Sequence, residues 1–234
     1  MTRRLPLYPS WSDVTLDAIF WDMDGTLVDT EPLWGVATYE LSERLGRRLT
    51  PELREATVGG SFANTLAVCA RHAGLTLDDA DSAHYKEWMY QRMSELIGHD
   101  LLPNPGIDGL LADLAEAGVP MYVTTNTERR LADVCINAVG RDYFAGSITG
   151  DEVAHPKPAP DMYAEAARRA GARPERCLVF EDSWAGMSAA AAAGCRVFGL
   201  AEAVPRGVTR FDPARFVGAT ARDVEAWFSD GDAA

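Results

Sequence analysis

Two acidic residues, placed two apart after an apolar run, carry the first chemical signal in this chain. Asp22 and Asp24 follow Ala18–Trp21, a run typical of a buried strand. Alternate side chains of an extended segment point the same way, so both carboxylates should face one crevice. They repel each other unless a cation lies between them or they share a proton. Gly25 then permits a tight turn with positive φ. The pattern predicts a hard-metal site with a carboxylate available for nucleophilic chemistry.

A hydroxyl-rich segment follows a second apolar run. Residues Val119–Val123 lead into Thr124, Thr125 and Asn126, just before a predicted helix. Hydroxyls and free main-chain N–H groups in this position suit a phosphoryl group. The same residues are typical of a plain turn that caps a helix, so the segment by itself leaves both interpretations open.

Two further segments bring charged side chains to the ends of predicted elements. Lys157 is flanked by prolines in a rigid loop that enters a helix, where a solvated lysine is the alternative interpretation. Glu181 and Asp182 follow the apolar run Cys177–Phe180. Acids at a second strand end, beside the first pair, would complete an oxygen-rich cage that fits Mg²⁺. The alternative for Asp182 is a helix cap.

Strand and helix patterns alternate along most of the chain. Predicted strands lie near 17–22 and at 119–124, 146–149, 177–180 and 195–200, and predicted helices at 107–117, 128–139, 160–170 and 184–193. This alternation predicts an α/β fold, a doubly wound, Rossmann-like parallel sheet with helices on both faces. Ligands of such sheets bind outside the carboxyl ends of the strands, which is where the polar segments lie.

The segment between the first strand and the alternating part has only helical patterns. Helices are predicted from Glu31 to a break at Gly46, from Thr50, over 61–73 and over about 78–97, with further breaks at Gly74 and Gly98. Residues 103–106 are the return linker. We therefore expect a core of residues 14–30 and 103–234, a helical insert of residues 31–102, and a loose lead-in at residues 1–13.

Composition restricts the partners. The chain has 234 residues and a formal net charge of -13, which argues against nucleic acid and anionic membrane surfaces. The four cysteines form no C-x-x-C pair, which favours buried reduced thiols. The first residues hold charge but no apolar stretch of signal length, and no run approaches a membrane span. We expect a cytoplasmic monomer that binds a small molecule.

These segments resemble, in order, the four motifs of the haloacid dehalogenase-like hydrolase superfamily. The matching strings are WDMDGTLVDT at 21–30, the Thr-Thr-Asn segment, K-P-x-P-D from Lys157 and E-D-S-x-x-G from Glu181. In the second motif Thr125 is the better match and Thr124 its rival. The resemblance covers residues 17 to about 200, and implies the fold described above with an inserted helical cap.

The resemblance implies Mg²⁺-dependent phosphoryl transfer through an aspartyl-phosphate intermediate. Asp22 would attack phosphorus, and Asp24 would protonate the leaving alcohol and then activate water. The implied metal ligands are Asp22, Asp182, the main-chain carbonyl of Asp24, and Glu181 either directly or through water. Thr125, Asn126 and Lys157, together with nearby main-chain N–H groups, would hold the phosphoryl oxygens.

The position of the insert places the chain beside β-phosphoglucomutase and the sugar-phosphate and phosphoglycolate phosphatases. The mutase uses a histidine where this chain has Trp34, and a cap arginine where this chain has Phe62. Both departures favour plain hydrolysis of a small phosphorylated metabolite over the mutase reaction. Trp34 is expected to bind the substrate by stacking, and packing inside the cap is the alternative.

Three other chemistries are less consistent with the residues. Dehalogenase members lack the second acid of the first motif, which Asp24 supplies here. Phosphonatase members use a cap lysine, and Lys86, the cap lysine of this chain, is predicted to be a solvated helix residue. Receiver domains, which act as non-catalytic phospho-switches, have no helical insert after the first strand. The identity of the ester stays open among sugar, polyol, glycolate and nucleotide phosphates.

Overall fold

The computed structural model describes residues 15–57 and 62–230, so the predicted lead-in at residues 1–13 lies outside the described residues. The strands are β1 (Ala18–Trp21), β2 (Met121–Thr125), β3 (Gly146–Thr149), β4 (Cys177–Glu181), β5 (Arg196–Gly199) and β6 (Thr209–Arg210). The helices are α1 (Glu31–Arg44), α2 (Pro51–Glu55), α3 (Phe62–Ala73), α4 (Asp79–Asp100), α5 (Ile107–Glu116), α6 (Arg129–Val139), α7 (Asp161–Ala170), α8 (Trp184–Ala192) and α9 (Ala221–Asp230).

The strands form one parallel sheet in the order β3-β2-β1-β4-β5-β6. Strand β1 lies between β2 and β4, and Trp21 is in register with both Val123 and Phe180. The carboxyl ends of these three strands therefore emerge side by side. This arrangement confirms the predicted doubly wound α/β fold, and it brings three of the predicted polar segments to one edge of the sheet.

Both faces of the sheet are buried, which explains the unbroken apolar runs of the strands. Ile19 and Trp21 of β1 face a core that includes α5, α6 and α9, where Trp21 stacks on Phe180 at 4.6 Å between ring centroids. Ala18 and Phe20 face the opposite core beneath α7 and α8. Alternate residues of one strand thus belong to different cores, because strand side chains alternate between faces.

Helices α1 to α4 occupy the segment between β1 and α5, as the helical patterns predict. Helix α4 packs on α1 and also contacts α6 of the core. The predicted break at Gly98 is wrong, because α4 continues through that glycine to Asp100. Burial of Leu96, Ile97 and Leu101 around it outweighs the roughly 1 kcal/mol by which glycine weakens a helix.

The end of the chain adds elements that the sequence patterns did not indicate. Strand β6 extends the sheet, and α9 packs beside α5. Phe211 and Phe216, which lie between β6 and α9, and Phe228 of α9 are almost fully buried. Within the described residues, no helix is both long and apolar enough to cross a membrane.

Candidate active site

A cavity of about 790 Å³ opens between the carboxyl edge of the sheet and the helical insert. The core contributes the end of β1, the segment after β2, Lys157 and the segment after β4. The insert contributes residues of α1, α2, α3 and α4. Asp22, Asp24, Trp34, Thr125, Asn126, Lys157 and Asp182 all line this space. Glu181 and Thr124, which were also proposed from the sequence, are not part of its lining.

Asp22 lies directly after β1 and is 6% exposed. Its Oδ1 accepts a hydrogen bond of 2.6 Å from the Nζ of Lys157, while its Oδ2 is buried without a hydrogen-bond partner among the described residues. Burial, with Glu181 nearby, raises the pKa of Asp22 well above its usual range, because these effects outweigh the opposing influence of Lys157. One oxygen is therefore held in place and the other is available to a bound group.

Lys157 is the centre of a buried charge network. Its Nζ donates to Asp22 Oδ1 and Glu181 Oε1, both at 2.6 Å, and to the carbonyl of Thr124 at 3.0 Å. Burial alone would lower the pKa of Lys157, but the two carboxylates raise it well above the usual range. The lysine is thus a fixed cation beside Asp22, and the prolines on either side position its main chain.

Glu181 ends β4 and is fully buried. Its Oε1 accepts hydrogen bonds from Lys157 and from the hydroxyl of Tyr163 at 3.0 Å, and its Oε2 accepts from the N–H and hydroxyl of Ser183, each at 2.9 Å. Gly186 makes room for this carboxylate, because a Cβ there would lie 1.5 Å from Oε1. Sequence patterns did not identify Tyr163 as its partner, since an apolar helix position carries no sign of a buried hydrogen bond.

Asp182 completes an acidic cluster that fits a divalent cation. Asp22, Glu181 and Asp182 each offer a carboxylate oxygen, and these atoms lie within 4.8 Å of one another. Burial and the nearby Glu181 raise the pKa of Asp182 to about 6. Gly25, at φ +86°, lets this side chain approach, because a Cβ there would meet Asp182 Oδ2 at 1.9 Å. The unpartnered Asp22 Oδ2 and this oxygen-only cluster suit Mg²⁺.

Asp24 has a different set of partners from Asp22. Its Oδ1 accepts a hydrogen bond from the Thr30 hydroxyl at 2.7 Å, and its Oδ2 accepts from the hydroxyls of Thr127 at 2.8 Å and Thr125 at 3.2 Å. Its side chain is not a member of the acidic cluster. Three neutral donors orient this carboxylate without a cation. Thr30 is the last residue of the first matching string and Thr127 follows the second, but neither was given a role from the sequence.

The structure separates the two threonines that the sequence left as rivals. Thr125 lines the cavity, and its hydroxyl also accepts a hydrogen bond from the N–H of Thr127 at 3.0 Å. The hydroxyl of Thr124 donates instead to the carbonyl of Trp21 at 3.3 Å, inside the sheet. Asn126 bonds the main chain of Lys157 through both ends of its side-chain amide, at 2.9 and 3.1 Å. Its side chain therefore joins the second and third motifs.

The wall of the cavity that the insert forms includes Trp34, which was proposed from the sequence, and Arg54, which was not. Trp34 on α1 is partly buried, lines the cavity and packs against the apolar core. Arg54 on α2 also lines it and is 9% exposed. Surface and buried arginines look alike in a single sequence, so no pattern marked Arg54. Lys86 does not line this cavity and pairs with Glu128 at 3.1 Å.

The fold and this site define a class of α/β proteins that have a carboxylate cluster at the edge of a parallel sheet and a helical insert. The family model of the haloacid dehalogenase-like hydrolases matches residues 16–194 of the chain. The chain belongs to this family and is a phosphoric monoester hydrolase. The matched residues include every motif described above.

Individual relatives agree with this assignment. The chain is 29% identical to a phosphorylated carbohydrates phosphatase of Thermotoga maritima, over 82% of this chain and 88% of the relative. It is 30% identical to the fructose-1-phosphate phosphatase YqaB of Escherichia coli, over 75% and 92%. Among solved structures, CbbY of Rhodobacter sphaeroides in complex with phosphate matches at 30% identity and a TM-score of 0.68, over 79% of this chain and 86% of that chain.

Proposed function

We propose that this protein is a Mg²⁺-dependent phosphatase that hydrolyses a small phosphorylated metabolite through an aspartyl-phosphate on Asp22. The single observation that carries the proposal is the state of Asp22: one oxygen bound by Lys157 and the other buried and unpartnered, in a cavity rich in acids. A nucleophile needs this combination of fixed orientation and a free lone pair. The sugar-phosphate and carbohydrate-phosphate relatives support a hydroxylated substrate.

Each protein group has a defined task in this mechanism. Asp22 attacks phosphorus, and the P–O bond to the leaving alcohol breaks as Asp24 donates a proton to that oxygen. Asp24 then removes a proton from water, which cleaves the acyl phosphate and restores Asp22. Thr125 and the main-chain N–H groups near Asn126 hold the phosphoryl oxygens, and Lys157 supplies positive charge beside them.

The metal would be held by Asp22, Asp182 and the main-chain carbonyl of Asp24, with Glu181 directly or through water. When bound, Mg²⁺ neutralises charge on the phosphoryl oxygens so that an anion can approach an anion. The hydrogen bonds of Glu181 also support a second role, in which its negative charge holds the side chain of Lys157 in place. We further propose a cytoplasmic monomer, consistent with four buried, free cysteines.

Release of phosphate from a panel of phosphorylated metabolites tests the proposal. The purified protein should hydrolyse at least one sugar or polyol phosphate with Mg²⁺, lose that activity in a chelator, and regain it when Mg²⁺ is restored. Full activity in the chelator would contradict the metal role. A burst of phosphorylated protein that is stable to acid denaturation, and absent from Asp22→Asn, would support the covalent intermediate.

A further inference from the structure

The insert wall of the cavity contains an ion pair that the mechanism above does not use. Arg54 of α2 and Glu31 of α1 both line the cavity. The Nη2 of Arg54 donates to Glu31 Oε1 at 2.5 Å. The arginine side chain is 11% exposed and that of Glu31 is 50% exposed, so the guanidinium is buried while the carboxylate remains accessible.

The guanidinium is held in one orientation but keeps donors to spare. Its Nη1 donates to the hydroxyl of Thr57 at 3.1 Å, and that hydroxyl donates in turn to the carbonyl of Arg54 at 2.6 Å. The backbone of Gly35 lies beside it, since a Cβ there would be 3.6 Å from Nη2. A guanidinium has five N–H donors, and the Nε of Arg54 is buried without a partner among the described residues. A buried donor in this state favours a bound acceptor.

The charges around the pair restrict what that acceptor can be. Among the described lining residues, Arg54 and Lys157 are the cations, and Lys157 is already bound by Asp22 and Glu181. Glu31 is paired with Arg54, and Asp29 adds a further negative charge to the cavity lining. A second acidic group on the substrate would have to compete with Glu31 and approach Asp29. Neutral hydroxyl groups meet no such repulsion.

The guanidinium of Arg54 and the carboxylate of Glu31 lie side by side, so together they can bind two adjacent hydroxyl groups of a substrate. Each hydroxyl can accept from the guanidinium and donate to the carboxylate. Thr38, Thr65 and Trp34 of the insert line the same cavity. This combination of neutral hydroxyls, a planar ion pair and an aromatic surface suits a polyhydroxylated molecule rather than a second phosphate or a carboxylate.

We propose that Arg54 and Glu31 determine substrate specificity by binding adjacent hydroxyl groups of a neutral, polyhydroxylated leaving group. Esters whose leaving group carries a second acidic group are rejected by Glu31 and Asp29. This inference rests on the proposed phosphatase function and assigns the part of the substrate that the phosphoryl centre does not contact.

The test compares three esters in steady-state assays: a hexitol phosphate, 3-phosphoglycerate and p-nitrophenyl phosphate. Wild-type protein should prefer the hexitol phosphate to 3-phosphoglycerate. Arg54→Lys keeps the charge but loses the planar fork of donors, so the ratio of kcat/KM for the hexitol ester to that for the aryl ester should fall by about 10-fold or more. Glu31→Gln should lower the same ratio and raise the relative use of 3-phosphoglycerate.

Arg92→Lys is the matched control. Arg92 is another partly buried arginine of the insert, paired with Glu40 of α1 at 2.6 and 2.8 Å, and it is not among the residues that line the cavity. This variant should keep the wild-type ratio. If thermal unfolding shows that Arg54→Lys is misfolded, the half-exposed Glu31 carries the test through Glu31→Gln.

Two results would overturn the inference while leaving the phosphatase function intact. One is that both variants keep the same ester ratios as the Arg92 control. The other is that wild-type protein prefers 3-phosphoglycerate and that Arg54→Lys removes this preference, which would assign Arg54 to an anionic group. Failure of the phosphatase function itself would look different, because wild-type protein would then release no phosphate from any of the three esters, and both proposals would fall.

Discussion

The two ends of the cavity are built around ion pairs of different kinds. At the core end, the Lys157 side chain is 3% exposed and joins carboxylates that follow two neighbouring strands. At the insert end, Arg54 pairs with the half-exposed Glu31, and both belong to helices. Lys157 makes three hydrogen bonds with groups from β1, β2 and β4, whereas the pair at the insert end depends on two adjoining helices.

This difference indicates how the phosphoryl chemistry and the substrate specificity are divided between the two ends of the cavity. The parallel sheet fixes the core end, because neighbouring strands hold their carboxyl ends in register. A change there leaves a buried charge unpaired, which costs about 3–5 kcal/mol when one partner of such a pair is removed. The insert end is closer to solvent, so its residues can change with little effect on the phosphoryl centre.

Asp22→Asn should reduce activity more than any other variant, and by a similar factor for every ester. The amide cannot act as the nucleophile, so kcat should fall by roughly 10³-fold or more for every ester, whatever its leaving group. Phosphate release measured with hexitol and aryl esters checks this. Thermal unfolding of the variant with and without Mg²⁺ shows whether the fold survives. Retention of most activity would remove Asp22 from the role of nucleophile.

Asp24→Asn should separate proton transfer from metal binding. Its side chain is bonded to three threonine hydroxyls and lies outside the acidic cluster, so the variant should still be stabilised by Mg²⁺. Loss of a general acid costs about 10²–10⁴-fold in rate. The loss should be smaller for p-nitrophenyl phosphate, whose leaving group needs less protonation. Equal losses for alkyl and aryl esters would count against the acid role.

Trp34→Ala should affect mainly the insert end. If the ring stacks on the leaving group, kcat/KM for the best polyol ester should fall by an amount equivalent to roughly 1–3 kcal/mol, the range measured for stacking on bases. Hydrolysis of acetyl phosphate, which is too small to reach the insert, should change much less. Equal losses for both substrates, together with a lower Tm, would instead identify Trp34 as a packing residue.

Mg²⁺ binding should weaken in acid. The pKa of Asp182 is raised to about 6, so below that pH a proton occupies this carboxylate and must be displaced by the metal. Apparent affinity for Mg²⁺ should therefore fall by about tenfold or more per pH unit below about pH 6, because the pKa of Asp22, the other carboxylate proposed to bind the metal, is also raised. The shift of Tm by Mg²⁺ at several pH values measures this. The Asp182→Asn variant should show a much smaller Mg²⁺ shift at neutral pH.

The smallest effect is expected at the contact between α4 and the start of α6. Glu128 accepts from Lys86 at 3.1 Å and from Tyr90, and Arg130 binds Glu87 through two hydrogen bonds. Exposed pairs contribute about 0.2–1 kcal/mol each, so Glu128→Gln should weaken the contact of the insert with the core and raise KM by no more than about fivefold. High salt should reduce the difference from wild type. Glu165→Gln, which breaks an ion pair within α7, is the control and should leave KM unchanged.

Much of the fold could be predicted from the sequence, because its signals are local. The apolar runs of β1 and β4 identify strands that are buried on both faces, and the helical spacing after Glu31 identifies the insert. The exceptions have physical causes. Gly98 does not break α4, because buried neighbours hold the helix together. Strand β6 has two residues, too few for alternation to be detected.

Motif residues that follow apolar runs, such as Asp22, Thr125 and Asp182, could be identified from the sequence alone. Which side chains meet depends on the tertiary fold, because the contacts join residues far apart in the chain. Lys157 and Asp22 are 135 positions apart, and Thr127 and Asp24 are 103 apart. The register between β1 and β2 placed Thr125 in the cavity and Thr124 inside the sheet. No local sequence pattern distinguishes Arg54. Packing of α2 against α1 buries this arginine and makes it part of the cavity lining.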